Sequence, residues 1–144
     1  MSDLEITATT ITETVNASDA SSVYHKALGN CVLIAGLSNY ENSLYKTFIA
    51  CHCAGGLGID DTKAFAKNFL PRRNDMKIII IPGSVTEKNS QTFWGNARSW
   101  LTQKFRGCIY EYERCSTPQI TREGYVYNYK EKKALKRTNN FLRE

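Results

Sequence analysis

Residues 78–81 are four consecutive isoleucines, closed by Pro82. A β-branched run this short, with no polar member, is a strand rather than a helix, and it has to be buried. The stretch Met76–Pro82 is therefore the most hydrophobic strand of the chain and the centre of a sheet. Every other element has to be arranged around it. The run is also far short of the roughly 18 apolar residues that a membrane helix needs.

Two further stretches read as buried strands. Cys31-Val-Leu-Ile-Ala is entered through Gly29-Asn30, and Tyr45-Lys-Thr-Phe-Ile-Ala-Cys-His-Cys stops before Gly55-Gly56. Between them Gly36–Asn42 has the composition of a turn, and Ser21–Leu28 reads as a short helical or turn-like piece. Asp60 and Asp61 cap a helix over 60–70, whose apolar residues at 64, 65, 69 and 70 have helical spacing. Residues 91–105 form a second helix, with Phe93, Trp94, Ala97, Trp100 and Leu101 on one stripe and Gly107 as the stop. Cys108–Cys115 and Gly124–Tyr129 alternate apolar and polar residues, like antiparallel strands facing a layer of helices.

The expected fold is α+β, a single layered domain in which one mixed or antiparallel sheet packs with two main helices. At 144 residues the chain is long enough for one core without staples. The expected organisation is a strand or arm over 1–22, an α/β domain over 23–130 and a basic tail over 131–144. Residues 130–144 hold six Lys/Arg against two Asp/Glu, which is +4 of the net +5, so the folded body is close to neutral. That balance argues against nucleic-acid binding by the body. The tail reads as a solvated chain end with some capacity to steer an acidic partner. The N-terminus lacks the basic and apolar blocks of a signal peptide, so the chain is expected to be cytoplasmic, or secreted by a signal-peptide-independent route. Five cysteines, an odd count, suit reduced thiols better than a disulfide framework.

Cys31 and His52 carry the most chemistry. A thiol attacks as its thiolate, and an imidazole within hydrogen-bond reach takes the proton. Cys31 stands at a strand entry after a glycine turn, where backbone N–H groups of the turn are available as oxyanion donors. His52 lies near the end of the next strand, so a hairpin brings the two to one sheet edge. The plain alternative is a packed thiol and a packed histidine. Cys51 and Cys53 flank His52 and point to the opposite face of a strand. Their spacing, with Cys108 and Cys115, is poor for a structural zinc site, so no metal and no cofactor is expected. His25 reads as a surface histidine.

The stretch Leu28-Gly29-Asn30-Cys31-Val32-Leu33-Ile34 resembles the Leu-Gly-Ser-Cys-Val-Ala-Val strand entry of the chemoreceptor glutamine deamidases, the CheD family. More loosely, it is similar to the Leu-Ser-Gly-Cys entry of the cytotoxic necrotizing factor type deamidase toxins. In both groups the next strand carries the histidine, here Phe48-Ile-Ala-Cys-His52. The resemblance spans about residues 23–130, with the cysteine entry and the histidine strand as its motif-like parts. It implies a deamidase-like fold in which Cys31 attacks a glutamine side-chain amide of a partner protein. His52 then serves as base and acid, and no cofactor takes part.

Asn30 stands where the family has Ser, and His25 where it has a catalytic-site Thr, so both are supporting candidates. The Cys-to-His spacing is longer, with the excess in residues 36–46, and the Gly pair follows the histidine. These departures suit a divergent member, such as a deamidase effector acting on another protein, and the chain is expected to be a monomer. Other readings are a non-catalytic binding or immunity-type module on the same fold, and a cysteine protease or transglutaminase-type acyl transferase.

Overall fold

The computed structural model describes residues 2–6, 13–16, 19–29, 31–53, 63, 66–67, 75–83 and 99–138. The strands are β1 (Asp3–Glu5), β2 (Glu13–Asn16), β3 (Ser22–Tyr24), β4 (Val32–Glu41), β5 (Leu44–Cys53), β6 (Lys77–Pro82), β7 (Ile109–Tyr112), β8 (Pro118–Thr121), β9 (Val126–Asn128), β10 (Lys133–Ala134) and β11 (Arg137–Thr138). They form two sheets rather than the single one expected. The larger has the order β11-β7-β6-β4-β5-β2, and the smaller β1-β3-β8-β9-β10.

The isoleucine run explains the layering. Successive strand residues point to opposite faces, and these four divide between two cores. Ile79 and Ile81 join Leu33, Leu37, Phe48 and, from the smaller sheet, Val23, Ile120 and Val126. Ile78 and Ile80 pack on the other face with Met76, Ala66, Leu101, Phe105 and Ile109. β6 is thus covered by the second sheet on one side and by helical residues on the other. Burying an isoleucine side chain contributes roughly 1.5–3 kcal/mol, so these residues fix which sheet faces which. β6 is an inner strand, antiparallel to β4 and parallel to β7. The centrality expected of it is therefore observed.

Several expectations are corrected. Gly36–Asn42 is not a turn, because β4 continues to Glu41 and the reversal takes just Asn42 and Ser43. Both have positive φ, 54° and 67°, which a two-residue hairpin needs to match strand twist. Within Ser21–Leu28, Ser22–Tyr24 is a strand and not a helical turn. The strands of 108–115 and 124–129 are not partners: β7 pairs with β6 and β11, while β9 pairs with β8 and β10.

The two main helices are not found as such. Among the described residues Lys63, Ala66 and Lys67 are helical, and so is the run 99–104, closed by the Phe105 N–H donating to the Leu101 carbonyl at 2.9 Å. Residues 91–98 and most of 60–70 lie outside the described residues, as do Asp60, Asp61 and Trp94. The segment 1–22 supplies β1 and β2. The basic stretch adds an edge strand to each sheet, β10 to the smaller and β11 to the larger, with Leu135 packed on the core between them. Residues 139–144 lie outside the described residues.

Candidate active site

β4 and β5 are each ten residues long, and their register sets His52 directly opposite Leu33. Paired residues share a face, and residues two apart on a strand share it too. Leu33 points into the space between the sheets, and Cys31, at the mouth of β4, packs against that same core. Cys31 and His52 therefore lie on the inter-sheet side at one end of the hairpin. The longer spacing between them is taken up by strand, since the hairpin itself extends to Glu41 and Leu44.

A third side chain joins them from the other sheet. His25 follows β3 and is buried, 4% exposed, against 2% for His52. This corrects the expectation of a surface histidine. Its ring stacks on that of His52, with centroids 5.0 Å apart and planes 23° apart. The Ala27 backbone N–H donates to His25 Nδ1 at 3.0 Å, which assigns the proton of the neutral ring to Nε2. Among the described residues, His25 Nε2 and both His52 nitrogens have no hydrogen-bond partner. Leaving a buried polar atom unsatisfied costs about 1–3 kcal/mol, so an apolar residue at either place would serve a purely structural core better.

Electrostatics follow from the burial. Desolvation lowers the pKa of His52, and the neighbouring His25 lowers it further. His25 is lowered by desolvation as well, opposed in part by the Glu5 carboxylate. Both rings are neutral near pH 7, which leaves a nitrogen of His52 able to accept a proton.

The Cys31 entry is held from several sides. The Cys31 N–H donates to the Leu28 carbonyl at 3.1 Å, closing a tight turn with Gly29 at φ 61°. That N–H is therefore spent within the turn and is not an oxyanion donor while the turn is closed. Gly83, just after β6, donates its N–H to the Cys31 carbonyl at 2.8 Å. A Cβ on Gly83 would collide with the Gly29 carbonyl, so a side chain there displaces the turn. Arg114 Nη1 donates to the Gly83 carbonyl at 3.1 Å, and the Leu28 N–H donates to Ser116 at 2.8 Å. Asn30 lies outside the described residues. Gly83 and Arg114 were missed as supports; Pro82-Gly83 at the exit of the apolar run was the available sign.

The remaining thiols divide as strand alternation requires. Cys51 and Cys108 pack on the helical side of the larger sheet, and Cys115 on the inter-sheet side. Four thiolates therefore do not converge, and among the described residues no group of three or more His, Cys, Asp or Glu is arranged to hold a metal. None of Cys31, Cys51, Cys108 and Cys115 is in a disulfide. Burial pushes the Cys115 thiol above its ordinary pKa, against a partial lowering by hydrogen bonds to Thr117. Among the described residues no helix is long and apolar enough to cross a membrane.

No family model matches the chain, and no curated protein is significantly similar to it.

Proposed function

We propose that the protein is a cysteine-dependent hydrolase, a protein-glutamine deamidase acting through an acyl-thioenzyme. The observation that supports this reading best is the shared inter-sheet position of Cys31 and His52, with His25 stacked on the latter. In the proposed reaction Cys31 Sγ attacks the side-chain amide carbon of a glutamine while its proton passes to His52. Because burial favours the neutral imidazole, proton transfer accompanies the attack, and His52 acts as general base rather than as half of a standing ion pair. The imidazolium then protonates the departing ammonia. Water attacks the thioester, His52 takes a proton from it, and glutamate and the free thiol are released.

The test is incubation with glutamine-bearing proteins, read by ammonia release and by the mass gain of amide-to-acid exchange. Wild-type protein should release ammonia, and Cys31→Ser should not. Incorporation of an added amine in place of water would instead mark an acyl transferase. The second reading, a non-catalytic binding module, is favoured by the closed turn at the Cys31 N–H and by the burial of both imidazoles. It predicts no ammonia release and slow alkylation of Cys31.

A further inference from the structure

The inter-sheet space has a second polar end, remote from Cys31. Lys77 pairs with Leu37 at one end of β6, while Pro82 pairs with Val32 at the other. At about 3.3 Å per residue the two ends are roughly 17 Å apart. The Lys77 ammonium lies 5.1 Å from the centre of the Tyr110 ring and 5.8 Å from that of Tyr45. The Arg137 guanidinium, brought in by β11, stands 4.1 Å from the same Tyr110 ring. Two cations thus share one aromatic ring, and among the described residues neither is seen in an ion pair. Asp75, nearby, accepts the Tyr40 backbone N–H at 2.9 Å.

Gathering like charges costs energy that a bound anion would offset. Lys77 registers this, being held below the ordinary lysine range by burial first and by Arg137 second. The Gly124 backbone packs close beside it. Gly124, at φ 94°, has no side chain, and a Cβ there would come within 3.6 Å of Lys77 Nζ and 3.2 Å of the Tyr45 ring. Tyr40 and Tyr125, the most exposed large hydrophobics at 52% and 60%, stand close by: Tyr40 packs against Tyr45, and Tyr125 follows Gly124. A forked guanidinium and a point-like ammonium on one ring suit an oxygen-rich dianion.

We propose that Lys77 and Arg137 form a phosphoryl-binding site on the Tyr110 ring, at the end of the inter-sheet space opposite Cys31. The exposed tyrosines give a planar group carried on the phosphate a surface to stack on. The site does not depend on the proposed hydrolase activity.

The experiment is calorimetric titration of the full chain with inorganic phosphate and with phenyl phosphate, at constant ionic strength set by chloride. NMR titration of the Lys77 ammonium accompanies it. Saturable binding is expected, with the Lys77 pKa rising on saturation of the wild-type protein. Lys77→Gln and Arg137→Gln should each weaken binding by about tenfold or more, the scale of one charge-assisted pair. Equal affinity for the two probes would identify free phosphate as the natural source, and tighter phenyl phosphate a phosphomonoester. The proposal is overturned if neither probe binds saturably, if the Lys77 ammonium does not respond, or if both folded variants bind as the wild type does.

Discussion

His25 and His52 are the residues whose cost to the fold is easiest to measure. Each is buried with its pKa below the ordinary histidine value, so each takes up a proton more readily in the unfolded chain. The unfolded state therefore binds more protons as pH falls through about 6.5, and stability must fall with it. The contribution is fully present above that value and is lost on acidification. Urea unfolding at pH 7.5 and pH 5.5 should show a lower midpoint in acid, and His52→Leu should reduce the difference. An unchanged pH dependence in that variant would mean that His52 is not the group responsible. The same lowered pKa predicts that the acidic limb of Cys31 reactivity falls below pH 6.5, since His52 stays a competent base to lower pH.

At the scale of elements, the β4–β5 hairpin carries the site, and its turn carries a cost. Ser43 is held at φ 67°, in the left-handed region that a Cβ disfavours by roughly 1–2 kcal/mol. Ser43→Gly makes the turn Asn-Gly, the pair that suits this geometry. It should raise stability by about 1 kcal/mol, seen as a higher urea midpoint with an unchanged slope; a lower midpoint would contradict the turn assignment. Strand existence was legible from apolar runs: 78–82 and 45–53 lie in strands of the larger sheet, and so does 31–35 apart from Cys31, which precedes β4. The turn-like residues of 36–42 misled, because Gly36, Leu37 and Ser38 are buried strand positions held by pairing with both β5 and β6 or with β5. Composition reports local preference, and here non-local pairing overrides it. His25 was misjudged for a similar reason: its burial depends on the second sheet, which Ser22–Tyr24 and Pro118–Thr121 build across a long sequence separation.

For the whole molecule, the segment after β9 closes both sheets at once. β10 extends the smaller sheet, Leu135 packs on the core, and β11 extends the larger one. A chain ending at Lys132 should lose about 2 kcal/mol or more of unfolding free energy relative to one ending at Thr138, read by urea unfolding. Equal stability of the two would show that the strap only decorates the surface. Its charge was readable from the sequence, but not its two short strands, because the basic residues that fill it carry no alternating pattern. The two-sheet arrangement also separates the thiols, and this is where the central claim meets measurement. Iodoacetamide labelling at pH 7 with peptide mapping compares Cys31 with Cys51, Cys108 and Cys115 in one folded protein. Cys31 should be alkylated first, and His52→Gln, shown to be folded, should slow it by about a hundredfold, the lower range for loss of a general base. Earlier labelling of Cys115 or Cys108 with Cys31 protected, or an unchanged rate in His52→Gln, would contradict a reactive Cys31–His52 pair.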